Sequence, residues 1–258
     1  MTSDMTLEAL KCLAASVGER KGWDFSRVRD DRDPVPWDYA NVVRRYLQSS
    51  HRVLDIGTGG GERFLALAPY LSTGVGIDAD PAMIRVAREN RTPSLADKIT
   101  LEVMRAEVLQ FPAATFDVVL NRHAPIQVKE IARVLRPDGY FITQQVGARN
   151  TRNICSIFGC GPGGEYEGDP SQDTARLAAA FRQNGCTVIG RAEYNVRYWF
   201  QDVESFLFWL QVIPLPKDFD VETHWRQVNR IITAYRTPKG IETNEHRELL
   251  IVHKRRTP

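Results

Sequence analysis

The stretch VLDIGTGGGE, Val53 to Glu62, is an apolar run that ends in an aspartate and enters a turn holding four glycines, Gly57, Gly59, Gly60 and Gly61. Glycine loses more backbone entropy on folding than any other residue. It is used where φ must be positive or where another group must come close. A strand that feeds such a turn and then a helix receives nucleotide-like ligands at the edge of a parallel sheet. Two such turns are excluded. The dinucleotide fingerprint G-x-G-x-x-G would need glycine at position 62, where this chain has Glu62, and a carboxylate at that positive helix end would repel a pyrophosphate. A phosphate-cradling P-loop is excluded because no Gly-Lys-Ser/Thr follows. The turn therefore suits a nucleoside-like ligand without a diphosphate.

Outward from this turn, strand and helix signals alternate. Arg52–Ile56 reads as a strand, Glu62–Leu71 as helical and Gly74–Asp78 (GVGID) as a second strand. Asp80–Asn90 (DPAMIRVAREN) reads as a helix with Asp80 as its N-cap. Pro81 takes the first helical position, where a missing N–H costs nothing. Ile99–Met104, Phe116–Asn121 (FDVVLN) and Tyr140–Val146 (YFITQQV) read as further strands, with a helix at Val128–Leu135 stopped by Pro137-Asp138-Gly139. Strands joined by helices imply a parallel sheet covered on both faces, with every strand's carboxyl end on one edge. Asp78 ends the second strand about twenty residues after the glycines, where an acid can accept hydrogen bonds from ribose hydroxyls. Asp55, under the turn, can face a cationic ligand.

Beyond Val146 the pattern changes. Gly159–Asp169 reads as a glycine-rich loop, Asp173–Asn184 as a helix and Thr187–Arg197 as a strand. Asp202–Ile213 places Val203, Phe206, Leu207, Leu210 and Ile213 at helical spacing and adds Phe208 and Trp209. A helix over Val221–Tyr235, a closing strand Glu248–His253 and a basic tail, HKRR, complete the chain.

The chain has 258 residues, 43% hydrophobic and 26% charged, with a formal net charge of +2. This is the composition of a globular protein, and it lacks the strongly basic balance common among nucleic-acid binders. The first residues show no cationic start and apolar run of a secretion signal. No uncharged run is long enough for a membrane span. The four cysteines, Cys12, Cys155, Cys160 and Cys186, form no CxxC pair. We therefore expect no metal site, and free thiols in a reducing cytoplasm.

Taken in order, VLDIGTGGGE, GIDADPAMIRVAREN, RAEVLQFP, FDVVLNRHAP and EIARVLRPDGYFITQQVG resemble the successive motifs of class I S-adenosylmethionine-dependent methyltransferases, over roughly residues 37–147. The resemblance implies an α/β, Rossmann-like, seven-stranded and mostly parallel sheet with helices on both faces. Its last strand would be antiparallel and inserted beside the fifth. It implies one methyltransferase domain over 1–258: an N-terminal helical segment (1–48), a core (50–197 and 241–258) and a helical cap insertion (198–240). It also implies S-adenosyl-L-methionine as cofactor. Asp55, Gly57, Gly59 and Gly61 match the motif that holds the methionine part, and Asp78 matches the ribose acid. Ala79 and Met83 fall beside the adenine, and Ala106 and Glu107 match its edge segment. Asn121 matches a position near the sulfonium. The family often has Asp-Ala where this chain has Arg105-Ala106, so the side-chain contact to the adenine amine is not carried over.

On the acceptor side, His123 lies two residues past Asn121 and is the candidate general base, with His224 a weaker one. Trp37 and Tyr39, in the segment that the family folds over its cofactor, are candidate contacts, as are Glu165 and Tyr166 in the glycine-rich loop. Trp209, near Trp199 and Phe200, is a candidate in the cap, whereas Phe206 and Leu210 read as packing core. The expectation is a cytoplasmic methyltransferase with a small-molecule acceptor. The alternatives are an RNA methyltransferase, since NRHAPIQVKEIARVLRPDGYFIT is similar to a ribosomal RNA guanine subfamily, and a non-catalytic S-adenosylmethionine binder.

Overall fold

The computed structural model describes residues 5–18, 25–160, 173–213 and 215–256. In chain order its elements are α1 (Leu7–Ser16), β1 (Asp30–Arg32), α2 (Tyr39–Arg44), β2 (Arg52–Ile56), α3 (Glu62–Leu65), β3 (Thr73–Asp78), α4 (Pro81–Asn90), β4 (Ile99–Val103), β5 (Phe116–Arg122), α5 (Val128–Val134) and β6 (Leu135–Val146). There follow α6 (Arg152–Phe158), α7 (Thr174–Gln183), β7 (Cys186–Phe200), α8 (Val203–Val212), α9 (Val221–Tyr235), β8 (Arg236–Thr237) and β9 (Gly240–Lys254). They fall into two compact units. The larger comprises Pro36–Val146, Asp169–Glu193 and Arg247–Pro258; the smaller comprises Met1–Val35, Gly147–Gly168 and Tyr194–His246.

The larger unit holds seven strands in the order β7-β9-β6-β5-β2-β3-β4. β4, β3, β2, β5 and β6 pair in parallel, and β9 pairs antiparallel with β6. This is the expected fold. Strand alternation divides its apolar residues between two faces. One face carries Leu54, Ile56, Ile77, Val119 and Phe141 against Ile131 of α5 and Leu177 and Phe181 of α7. The other carries Val53, Val118, Leu120 and Ile142 against Val42 and Val43 of α2, Phe64 of α3 and Ile84 of α4.

Helix starts follow local chemistry. Asp80 takes the Ala82 N–H at 2.8 Å and Pro81 opens α4. Asp38, Asp173, Asp202 and Asp220 cap α2, α7, α8 and α9 in the same way, each a cap worth about 1 kcal/mol. α3 and β6 are among the elements that differ from expectation. The helix over 62–71 stops after four residues and continues as a 3-10 turn at Ala68–Tyr70, because Pro69 has no N–H to give the Leu65 carbonyl and its ring crowds that carbonyl. β6 begins at Leu135, directly after α5, and absorbs Pro137-Asp138-Gly139 as an irregular strand with Asp138 at φ +64°.

The smaller unit is mainly helical. Leu10 of α1, Ile154 of α6, Phe206, Leu207 and Leu210 of α8 and Val228 and Ile231 of α9 form its core with Phe200 and Ile241. Phe206 and Leu210 are fully buried there. α6 lies in a stretch where no helix was expected. Asn229 fastens the N-terminal residues to α9: it accepts from the Met5 N–H at 2.9 Å and donates to the Met5 carbonyl at 2.7 Å. β1 pairs antiparallel with the end of β7, and β8 with the start of β9. Among the described residues no helix is long and apolar enough to cross a membrane.

Candidate functional site

The glycine turn follows β2 directly. The N–H groups of Gly57 and Thr58 both donate to the Ile77 carbonyl, at 2.8 and 2.9 Å, which ties the turn to β3. Gly57, Gly59 and Gly61 sit at φ +75°, +56° and +79°, where a side chain is strained. At three of the four glycines the close approach is made by the chain itself. A Cβ at position 57 would lie 2.3 Å from the Ala124 Cβ, and one at position 61 would lie 3.1 Å from the Ala87 Cβ. A Cβ at position 60 would fall 2.3 Å from the Glu62 carboxylate. Asn90 of α4 donates to both the Gly60 carbonyl and that carboxylate, at 2.9 and 3.3 Å.

Two carboxylates stand beside the turn. Asp78 accepts from the Gly59 N–H at 2.9 Å with one oxygen and from the Asp80 N–H at 3.0 Å with the other. It thus fastens the middle of the turn to the end of β3, and each oxygen keeps a second lone pair for a ligand. Asp55 and Asp78 share a sheet face, because Asp55 pairs with Gly76 two residues before Asp78. Burial pushes the Asp55 carboxyl up to about 7; the Thr58 hydroxyl and Arg122 pull it down and Asp78 pushes it further up. A carboxylate so placed is relieved by a cation.

The remaining cofactor-side candidates differ in burial. Ala79 is exposed, and Met83 at the start of α4 is half-buried. Ala106 packs on the core while Glu107 is exposed, paired with Arg105 at 3.3 Å, a surface ion pair of little energetic weight. Asn121 is fully buried. Its side-chain NH2 donates to the Pro125 carbonyl at 3.1 Å, and its oxygen accepts from Gln145 at 2.7 Å and Thr143 at 3.3 Å. It fixes the 121–125 loop, the loop whose Ala124 lies over Gly57.

His123 is part of that loop, at φ +59°, with its N–H donating to the Gln144 carbonyl at 3.0 Å. The protein around its ring, and then the positive charges of Arg122, Arg247 and Arg63, hold the imidazole well below its ordinary pKa. The residue still keeps an open path to solvent. The ring is therefore neutral at neutral pH and able to take a proton. Tyr39 is buried, its hydroxyl 3.1 Å from the carbonyls of both Asn121 and Ile142, so it clamps β5 to β6 at their carboxyl ends. Burial raises its pKa, so it stays a neutral donor. The Trp37 indole N–H donates to the Gln144 side-chain oxygen at 3.0 Å.

In the larger unit the structure thus brings Asp55, the glycines, Asp78, Asn121, His123, Trp37 and Tyr39 to the carboxyl edge of one sheet. Trp209 belongs to the smaller unit, half-buried with its ring centroid 5.3 Å from that of Phe200. His224, also in the smaller unit, stacks on Phe219 at 5.7 Å and interacts with its own N-cap, Asp220. Glu165 and Tyr166 lie outside the described residues. Arg122, Gln144 and Arg247 were missed in the sequence. The one signal for them was a polar pair, Gln144-Gln145, in an otherwise apolar strand.

Residues 54–143 match the family described as methyltransferase domain. A protein named as an uncharacterized methyltransferase, YcgJ of Bacillus subtilis (strain 168), is 36% identical over 102 residues, 37% of this chain and 40% of YcgJ. Aklanonic acid methyltransferase DauC of Streptomyces sp. (strain C5) is 41% identical over 81 residues, 30% of this chain and 37% of DauC. The chain spans about half or less of the length of such curated relatives. The crystal structure of YcgJ superposes with a TM-score of 0.59 at 22% identity, covering 85% of this chain and 99% of that one. A SAM-dependent methyltransferase from Methanosarcina mazei superposes at 0.52 with 18% identity, covering 87% and 100%. At these identities the solved structures speak for the fold.

Proposed function

We propose that this chain, which carries a class I S-adenosylmethionine-dependent methyltransferase domain, transfers a methyl group to a small-molecule acceptor in the cytoplasm. The observation that carries the reading is the carboxylate pair Asp55 and Asp78 on one face of the sheet edge, joined to a glycine turn that is poorly suited to a diphosphate. A nucleoside that ends in a cation fits this donor set. The names of relatives support a small acceptor, aklanonic acid and demethylmenaquinone among them, although one relative is named for ribosomal protein L11.

When bound, S-adenosylmethionine supplies a methyl group activated by its sulfonium. In this reading Asp78 holds the ribose hydroxyls, and Asp55 faces the cationic end. Gly57, Gly59 and Gly61 shape the seat of the methionine part. Ala79, Met83, Ala106 and Glu107 surround the adenine. Asn121 acts by holding the 121–125 loop. Most of the acceleration comes from fixing acceptor and methyl group as a near-attack pair. His123, neutral and open to solvent, takes a proton from an oxygen or nitrogen acceptor. Trp37 and Tyr39 shape the acceptor's surroundings.

The test is the melting temperature with S-adenosylmethionine and, separately, with NAD. A ligand at about a hundred times its Kd adds roughly 2.7 kcal/mol, about 5–10 °C for a chain of this size. A shift with S-adenosylmethionine alone is expected; no shift at saturation, or an equal shift with NAD, would sink the reading. Once an acceptor is in hand, His123→Ala should lower kcat while leaving cofactor affinity within about twofold. Because the pKa of His123 lies below its ordinary value, wild-type turnover should hold from pH 8 down to about 6.5.

A further inference from the structure

β6 ends with two glutamines in succession, and alternation sends them to opposite faces of the sheet. Gln145 spends its amide within the protein: its NH2 donates to the Asn121 oxygen and to the Thr143 hydroxyl, both at 2.7 Å. Gln144 faces the other way. It pairs with Arg122 of β5 and lies two residues beyond Ile142, which pairs with Leu120. Leu120 in turn pairs with Asp55. Gln144 therefore stands on the face of Asp55, further toward the carboxyl edge and over β6, with β5 between it and β2. Val146 and its partner Arg247 of β9 continue that face.

Gln144 is only 5% exposed. Its amide is oriented by Trp37, whose indole N–H donates to the Gln144 oxygen at 3.0 Å. An indole N–H only donates, so the amide oxygen must face Trp37 and the NH2 must face away. Among the described residues nothing accepts from that NH2. It is also not one of the sealed-off groups without a partner, so it opens onto the little surface that the residue keeps. Buried amides are as a rule hydrogen-bonded, and an unmet donor weakens folding. A donor that is held by a neighbour, nine-tenths buried and turned to an opening is placed for an oxygen that the chain does not supply. The candidate base is adjacent, since the His123 backbone N–H donates to the Gln144 carbonyl at 3.0 Å.

We infer that Gln144 selects and orients the methyl acceptor, its NH2 donating to a carbonyl oxygen of a small molecule seated over the end of β6, with Trp37 holding the amide in the donating orientation. The inference rests on the methyl-transfer reading, since it assigns this end of the edge to the acceptor. A site built to donate a hydrogen bond discriminates against an analogue that lacks the matching oxygen, because the donor is then left unpaired. Gln144 is thus a specificity residue that touches the acceptor, and Trp37 is a positioning residue that acts through it.

The test is an NMR titration of the full chain, with and without saturating S-adenosylhomocysteine. The probes are acetophenone and para-hydroxyacetophenone, set against ethylbenzene and para-ethylphenol, which keep the carbon skeleton and lose the carbonyl oxygen. At least one ketone should bind about three- to tenfold more tightly than its deoxygenated partner, the span of one hydrogen bond. It should also shift the Gln144 side-chain NH2 signals, assigned by their absence in Gln144→Leu. Gln144→Leu and Gln144→Glu should both lose the preference while keeping the melting shift given by S-adenosylhomocysteine, which shows that they are folded. Trp37→Phe, which frees the amide to turn, should reduce the preference. The wild-type comparison decides the matter even if a variant fails to fold. Equal binding of ketone and partner, absence of binding by both ketones, or an undiminished preference in a folded Gln144 variant would overturn the inference. An undiminished preference in Trp37→Phe would overturn the part given to Trp37. A missing S-adenosylhomocysteine shift in wild type would instead be a failure of the methyl-transfer reading, recorded separately from the probe comparison.

Discussion

The β2–β3 end of the sheet edge is acidic and the β5–β6–β9 end is basic, although both stand on one face of one sheet. They are built in different ways. The acidic end is contiguous: Asp55, the glycines and Asp78 fall within one strand–turn–helix–strand unit, and backbone N–H groups fasten them together. The basic end is assembled by register, from Arg122 and Arg247 at opposite parts of the chain that meet across β6. A motif can encode the first; only pairing of distant strands can make the second. Chemistry that is common to many acceptors can be kept in the contiguous end, while the assembled end is free to differ.

The contrast can be broken most forcefully at Gly57. Gly57→Ala places a Cβ against Ala124 at a positive φ, which joins strain to overpacking and should cost about 2–5 kcal/mol. The expected drop in Tm is roughly 5–15 °C, read by calorimetry. A variant as stable as wild type would mean that the two ends are not in contact through the 121–125 loop.

Asp78→Ala should act on the acidic end alone. Hydrogen bonds to a charged acceptor are worth roughly 1.5–3 kcal/mol each, so S-adenosylmethionine affinity should fall about 10–100-fold. Unchanged affinity in a titration would remove Asp78 from ribose binding.

The smallest effect concerns pH. With its carboxyl near 7, Asp55 is protonated in the folded chain over a range where the unfolded chain has already lost that proton. Stability from this group is therefore lost as pH rises from about 4 through about 7. Asp55→Asn should raise the Tm at pH 8 by about 2–4 °C. A cationic ligand favours the ionised form, so its affinity for wild type should climb several-fold from pH 6 to pH 8 and stay flat in the variant. A flat wild-type profile would show that Asp55 does not meet the cation.

Legibility in the sequence followed the same division. β2, β3, α4, β4 and β5 were readable to within a residue or two, because alternation, Asp80 and Pro81 are local signals. The ranges of β6, β7 and β9 were read too short, since a strand that continues past its apolar stretch is held by neighbours rather than by its own pattern. The reason for the glycines was only partly readable. The sequence shows that something must approach, while the structure shows Ala124, Ala87 and Glu62 making three of the approaches. Asn121 was visible as a strand-end amide, but its partners Thr143, Gln145 and Pro125 come from pairing and loop closure. Arg122 and Arg247 were invisible as a pair, because no spacing rule connects them.

The way the two units share the chain has a consequence for descent. The chain passes between them five times, after residues 35, 146, 168, 193 and 246. The smaller unit is therefore no cassette that one recombination event could add or remove. Its three segments share one core, with Leu10, Ile154 and Phe206 in the same cluster, so a change in one is felt by the others. Residues 54–143 lie wholly inside the uninterrupted run Pro36–Val146. The strand–glycine turn–helix passage thus lies apart from every segment of the smaller unit.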